Sequence, residues 1–455
     1  MTATKTDLSR RLTSAQISMI GLAGALGTGL FLGSGTTIAH AGPSTLISYL
    51  LAGLMALSVV WALAEMVVAY PVPGGYGAVA AKYVGPFGGF LTRWNFAIVM
   101  LIAVGAEVTA AATYLRYWFP GLSLGVGTAL CSLFIVGLNL VTVRLYGSSE
   151  YWFSMIKVIA IVVFITLGLY LIFVGTPTTP PTGLGNLTQH GGFAPGGFTG
   201  IIAATCLALF SFGGIENVSV AAAESENPSR DVPRAARNMI WRLLVFYLLA
   251  IFVVVTLQPW DQTGASHGTV DESPFVKVLD LVGIPAAADL MNAVLIVAAL
   301  SAANGCLYAS SRMIHSLALD GMAPRAAAHT CQNGSPRTAV GIATAGMVLA
   351  SILSLVSPDD AFLTLYGCAT AGVLVTWSTV MYTHLKFRRA TAELPPHRLA
   401  FSPVTNWIVI GACAAIFILL YPLLPIVWYA GLPYLVVLGG AYLLTRSRQR
   451  RQASS

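Results

Sequence analysis

The sequence predicts an all-α membrane protein with about twelve transmembrane helices. Three observations carry that reading: the scarcity of charge, uncharged apolar runs, and breaks between runs that hold turn chemistry. Hydrophobic residues make up 56% of the 455-residue chain and charged residues 9%, against about 25% charged in soluble domains. So few charges cannot cover a water-facing surface. Ile159–Val174 and Leu243–Leu257 carry no charge at all, and about 20 apolar residues cross a bilayer. One large soluble core would not need apolar runs of this length.

The expected spans are roughly 16–40, 44–70, 88–118, 123–143, 150–174, 196–225, 236–257, 285–316, 338–356, 360–386, 404–424 and 427–445. Turn residues separate them at Ala41-Gly42-Pro43, Pro71-Val72-Pro73-Gly74-Gly75, Phe119-Pro120-Gly121 and Ser357-Pro358-Asp359. The first run, Ile17–Ala39, follows Arg10 and Arg11 and ends near an Ala-His-Ala that resembles a cleavage site. It exceeds the 7–15 residues of a signal-peptide core, so it reads as a retained membrane helix.

Basic residues orient the chain. With the N-terminus in the cytoplasm, 21 of the 24 Lys and Arg residues fall inside; Arg116 and Lys277 fall outside, and Lys157 lies within a helix. A wrong helix count would scramble this division. The net charge of +7 is therefore an orientation signal, and no nucleic-acid partner is expected. Cys131, Cys206, Cys306, Cys331, Cys368 and Cys413 include no CxxC pair, so neither a disulfide framework nor a metal site is indicated. No phosphate-binding GxxxxGK[ST] loop appears, and no catalytic motif points to an enzyme. No cofactor is expected.

Two helices carry glycine-rich interruptions at similar places in the two halves: GALGTGLFLGSG at Gly24–Gly35 and FSFGGIEN at Phe210–Asn217. Glycine costs about 1 kcal/mol in a helix interior relative to alanine. A close helix–helix contact is one explanation. The other is a pair of unwound segments, whose free backbone groups must face protein or a polar cavity and which mark the binding site of inverted-repeat transporters. Intramembrane charges support the second explanation, because they are expensive and commonly functional. Glu107 lies mid-helix in the third span, Lys157 about seven residues into the fifth, and Glu216 just beyond the sixth-span interruption. Glu65 and Arg93 lie nearer a membrane face, where structural ion pairing is the simpler role.

These motifs resemble the amino acid–polyamine–organocation superfamily, in its bacterial amino acid permease branch. The resemblance covers nearly the whole chain. It is carried by GALGTGLFLGSG, by AEM at Ala64–Met66 with PVPGGYGAVAAKYVGP, by AEVTAAATYLRYWFP from Ala106 and by YWFSMIKVIAIVVFI from Tyr151. The second half adds FSFGGIENVSVAAAESENPSRDVPRA, WRLLVFYLLAIFVVV, SAANGCLYASSRMIHSLALDGMAP and HLKFRR. It implies a leucine-transporter-type fold: five helices, five inverted, then two more. In this chain that gives a tail at 1–15, repeats at 16–174 and 196–386, two helices within 404–445 and a basic tail at 446–455.

The resemblance also implies that the Gly27-Thr28-Gly29 amides receive a substrate carboxylate. Carbonyls near Ala25, Phe210 and Gly213 would receive its amine. Helix-terminus physics agrees, because free amides attract anions and free carbonyls attract cations. Phe210 is similar in position to an aromatic gate. Glu107, with residues near Tyr366–Ala371, is expected to shape the side-chain pocket. Lys157 stands where sodium-coupled members of the fold bind a cation, and is the expected proton-coupling group. It would hold the first helix against Ser301 and Asn304 of the eighth, with Glu216 as an alternative ion-pair or gating partner. The implied activity is proton-coupled import of a neutral or GABA-like amino acid across the bacterial cytoplasmic membrane, both termini inside. A sodium-coupled or exchange-only carrier of the same fold is the alternative. Partners are then the amino acid, a proton and the lipid bilayer; oligomeric state stays open.

Overall fold

In a computed structural model, the described residues are 13, 16–17, 19, 26–72, 74–139, 143–175, 180–222, 225, 227–263, 273–281, 286–331, 335–359, 361–422 and 425–453. Helix dominates them, and each of the twelve expected spans meets a helix. The first span is α1 (Thr28–Phe31) and α2 (Gly33–Ala41), interrupted at Leu32. A turn at Gly42, with φ of +57°, leads into α3 (Thr45–Ala69); a side chain there would be strained. The short α4 (Gly75–Tyr83) precedes α5 (Pro86–Arg116), α6 (Leu124–Asn139) and α7 (Val143–Phe173).

The sixth span is broken into α8 (Gly197–Ser211) and α9 (Asn217–Ala221). After α10 (Pro228–Leu257) come two short pieces, α11 (Trp260–Thr263) and α12 (Pro274–Leu281). The remaining spans are α13 (Ala287–Leu319), α14 (Arg337–Ala343) continuing into α15 (Ala345–Val356), α16 (Ala361–Ala390), α17 (Val404–Leu419) and α18 (Ile426–Ala453).

Helices that correspond in the two halves pack on each other. The first span packs on the sixth, α3 on α10, α5 on α13, and α6 on α15. A pseudo-two-fold relation between five-helix repeats brings equivalent elements together in this way. At the centre, α13 is buried continuously from Ser301 to Ala318, flanked by α5 with Val104, Ala106 and Val108 at 0% exposure. Large apolar side chains that stay exposed, such as Leu133 on α6, Val348 on α15 and Val436 on α18, form the outer surface. Apolar exposure on that scale is what a lipid-facing surface requires.

Candidate functional site

Both interruptions lie against each other at the centre. The chain is bent at Leu26–Gly27, and helix resumes at Thr28 with Gly27 in extended conformation as its N-cap. The α8 helix ends at Ser211, and a turn over Phe212–Glu216 separates it from α9. Several groups at that turn find partners, as a membrane interior demands. Tyr247 Oη donates to the Ser211 carbonyl at 2.7 Å, and Gly213 N–H donates to the Phe210 carbonyl at 2.8 Å. Glu216 accepts from Gly214 N–H at 3.0 Å and from the Trp377 indole on α16.

The glycines of the two segments do different things. A Cβ at Gly29 would stand 2.7 Å from the Ser211 Cα, so this residue is where the first span presses on the backbone of the sixth. A Cβ at Gly27 would stand 2.6 Å from Glu107 Oε1, which is a movable side-chain atom. The glycine motif thus meets fixed backbone at one position and a movable side chain at the other.

Glu107, 5% exposed, reaches from α5 to the start of α1. Thr28 N–H donates to both of its carboxylate oxygens, at 3.3 Å each. These bonds are long, since hydrogen bonds to carboxylates normally measure 2.7–2.9 Å. A small cavity is lined by Gly27, Gly29, Glu107, Phe210, Gly213 and Gly214, and by apolar Val99, Met100, Ala103, Cys306 and Val373. Its volume of about 20 Å³ suits a water molecule, so a larger occupant requires the lining side chains to move. Of the expected site residues, Gly27, Gly29, Glu107, Phe210 and Gly213 meet at this cavity, with Thr28 beside it. Ala25 lies outside the described residues, as does the side chain of Tyr366. Val373 is the lining residue from α16.

Lys157 is wholly buried on α7. Ser154, one turn before it, donates to the Met19 carbonyl at 3.2 Å and so ties α7 to the N-terminal part of the first span. Glu150 and Glu107 are the carboxylates that act on Lys157 electrostatically. Ser301 and Asn304 meet α7 through Glu150: Ser301 Oγ donates to one carboxylate oxygen and Asn304 Nδ2 to the other, the latter at 2.8 Å. Asn139 of α6 donates to Asn304 Oδ1 at 2.6 Å. Thus Glu150 joins α6, α7 and α13 in one buried network. Sequence reasoning missed it, although Glu150 and Lys157 are seven residues apart and therefore share a helix face.

Comparison with known proteins decides the family. The sequence model described as amino acid permease matches residues 16–455. This chain belongs to the amino acid permease family. The permease is 36% identical over 442 residues to the aromatic amino acid transport protein AroP of Escherichia coli K12, covering 96% of this chain and 95% of that protein. It is 35% identical over 443 residues to AroP of Salmonella typhimurium LT2, with 96% and 95% covered. An uncharacterized amino acid permease of Bacillus subtilis, YvbW, is 37% identical over 411 residues, covering 90% and 91%. The permease is a multi-pass membrane protein, and among the described residues seven helices, the two adjoining stretches of Gly33–Ala69 taken as one, are long and apolar enough to cross a bilayer on length and composition alone.

Proposed function

We propose that this permease is a proton-coupled importer of neutral amino acids with an aromatic side chain, working by alternating access. The observation that carries the reading is the Glu107 carboxylate on the Thr28 amide. A carboxylate already rests at the amide expected to receive the substrate's carboxylate, and its long bonds make it displaceable. On entry, the substrate carboxylate replaces Glu107 at Gly27-Thr28-Gly29. The ammonium turns to carbonyls near Ala25, Phe210 and Gly213, and Phe210 closes over it.

The side chain would lie against Val99, Met100, Ala103 and Val373, a surface with no charge. That lining supports a neutral substrate. Together with the names of the AroP relatives, it favours an aromatic side chain over the GABA-like option.

In this reading Lys157 carries the coupling proton. Burial withdraws the water that stabilises an ammonium, and its place between the N-terminal part of the first span and the Glu150 network puts it where a proton can alter helix contacts. Glu150 is the link by which Lys157 affects Ser301 and Asn304. Each proton driven inward gains about 2.3 kcal/mol per 100 mV of membrane potential, enough to concentrate a substrate.

Uptake of labelled phenylalanine, tryptophan and GABA into proteoliposomes, with and without an imposed pH gradient, tests the proposal. The wild type should accumulate the aromatic substrates only with the gradient. Lys157→Ala should lose that accumulation while retaining exchange. Accumulation driven equally well in Lys157→Ala excludes the lysine as the coupling group, and a sodium requirement sinks proton coupling altogether. We further place the protein in the bacterial cytoplasmic membrane with both termini inside, because its basic residues divide so unevenly. A Thr188→Cys variant should then react with an impermeant thiol reagent in intact cells; protection there reverses the orientation.

A further inference from the structure

A second cavity lies away from the central site, at the basic end of the bundle. Trp61 of α3, Arg230, Arg234 and Arg237 of α10, and His397 of the segment before α17 line it, with Ser229 and Pro233, and its volume is about 380 Å³. Arg234 and Arg237 form no hydrogen bond or ion pair among the described residues, and both are exposed. Two acids near it among the described residues are already engaged. Asp231 accepts from Arg230 and from Ser225, each at 3.1 Å, and Glu65, one turn beyond Trp61, is bound by Arg388 and His384. The amino end of α10, a 30-residue helix beginning at Pro228, adds the positive end of its dipole beside the same cavity.

An apolar groove continues along α3. It is lined by Leu51, Leu54, Met55 and Ser58, by Ile202 of α8, and by a face of α17 that includes Ile408 and Leu419. Leu51, Leu54, Ser58 and Trp61 follow at steps of three and four residues, so they form one stripe about 15 Å long at 1.5 Å per residue. On α10, Trp241 stands one turn beyond Arg237 at 61% exposure, followed by Val245 at 45%. Aromatic side chains at that position mark the bilayer interface.

We propose that this cavity holds the phosphodiester headgroup of an anionic phospholipid on Arg234, Arg237 and His397, with an acyl chain in the groove along α3. A free phosphate shares the headgroup chemistry but has no use for the groove, and the union of cationic cavity and apolar stripe on one helix is what selects the lipid. The site bridges α3 and α10, one of the pairs that pack across the two repeats, so the bound lipid fastens them together.

Native mass spectrometry of the full chain in detergent tests this, using phosphatidylglycerol, phosphatidylcholine of the same acyl chains, and inorganic phosphate. The wild type should bind phosphatidylglycerol roughly 30-fold more tightly than phosphatidylcholine, at about 1 kcal/mol for each arginine near the headgroup. Arg234→Gln/Arg237→Gln should erase that preference, and Arg234→Lys/Arg237→Lys should keep it. Millimolar phosphate should neither bind nor displace the lipid. Equal affinity for the two lipids in the wild type overturns the proposal, as does a preference that survives in the glutamine variant. Phosphate that binds the wild type and displaces phosphatidylglycerol makes the cavity a free-anion site and overturns it too. Should the glutamine variant fail to fold, the wild-type lipid comparison and the lysine variant still decide.

Discussion

Glu65 and Glu107 are two of the carboxylates buried inside the helix bundle of this permease, and their surroundings differ sharply. Glu65, near one end of α3, accepts from Arg388 Nε and Nη2 at 2.8 Å each, from Leu399 N–H at 2.9 Å, and is 3.0 Å from His384 Nε2. His384 is fixed in turn by Asn406 at 3.0 Å. Glu107, at the centre, accepts from the Thr28 amide at 3.3 Å to each oxygen, with Lys157 acting on it electrostatically. A buried charge is costly unless paired and hydrogen-bonded. Glu65 has a complete set of short bonds and a cation, so it fastens α3 to α16. Glu107 has a sparse set of long ones, and a group held that loosely can give up its partner to a ligand. Completeness of hydrogen bonding, more than burial, separates the structural acid from the one suited to a binding site.

The largest effect should come from the saturated carboxylate. Glu65→Ala leaves the Arg388 guanidinium facing a buried hole, and removing one partner of a buried pair costs about 3–5 kcal/mol. Thermal unfolding in detergent should show a strongly lowered midpoint and poor yield, whichever substrate is present. A Glu65→Ala protein with wild-type stability but altered substrate preference would collapse the contrast between the two acids.

The next comparison is between Gly27 and Gly29. At Gly29 the obstacle is the backbone of Ser211 at 2.7 Å, which cannot rotate away. Gly29→Val should therefore destabilise by about 1–3 kcal/mol, the range for overpacking, and lower the yield. At Gly27 the obstacle is the Glu107 side chain, which can move. Gly27→Val should fold, yet lose substrate-induced thermal stabilisation because its side chain fills the approach of the carboxylate. If Gly27→Val retained full substrate stabilisation, the amides of the first interruption would not be the carboxylate site.

Much of this arrangement was legible in the sequence. Composition and basic-residue placement predicted the helices, since a bilayer imposes length and forbids charge. The paired glycine segments marked the interruptions that the structure shows at Leu26–Gly27 and Phe212–Glu216. Structural roles expected for Glu65 and Arg93 also match, Arg93 meeting Asp320 at 2.6 Å. Glu150 was hidden because the fifth span was expected to begin at residue 150, where a charge near the membrane face is cheap. The helix instead begins at Val143, so Glu150 lies two turns in and wholly buried. Trp377 was hidden for another reason. Nothing local to a chain discloses that an indole will meet a carboxylate 161 residues away.

The smallest effect, and the sharpest test of the contrast, belongs to Glu107→Gln. The substitution keeps shape and leaves an acceptor for Thr28 N–H, so folding should be unchanged. It removes charge, and a hydrogen bond to a neutral acceptor is weaker by roughly 1 kcal/mol than one to a charged group. The side chain then competes less well for the amide, and an incoming amino acid displaces it more easily. Binding of phenylalanine or tryptophan to the purified variant should tighten about fivefold, that energy difference expressed as a ratio. An aromatic amine without a carboxylate has no claim on the amide, so its weaker binding should not improve. Titration of both ligands against wild type and variant at one pH reads the two effects side by side. Weaker amino acid binding in Glu107→Gln would mean that the carboxylate contacts the substrate's ammonium and does not rival its carboxylate. Equal changes for the acid and the amine would remove competition at Thr28 from the mechanism.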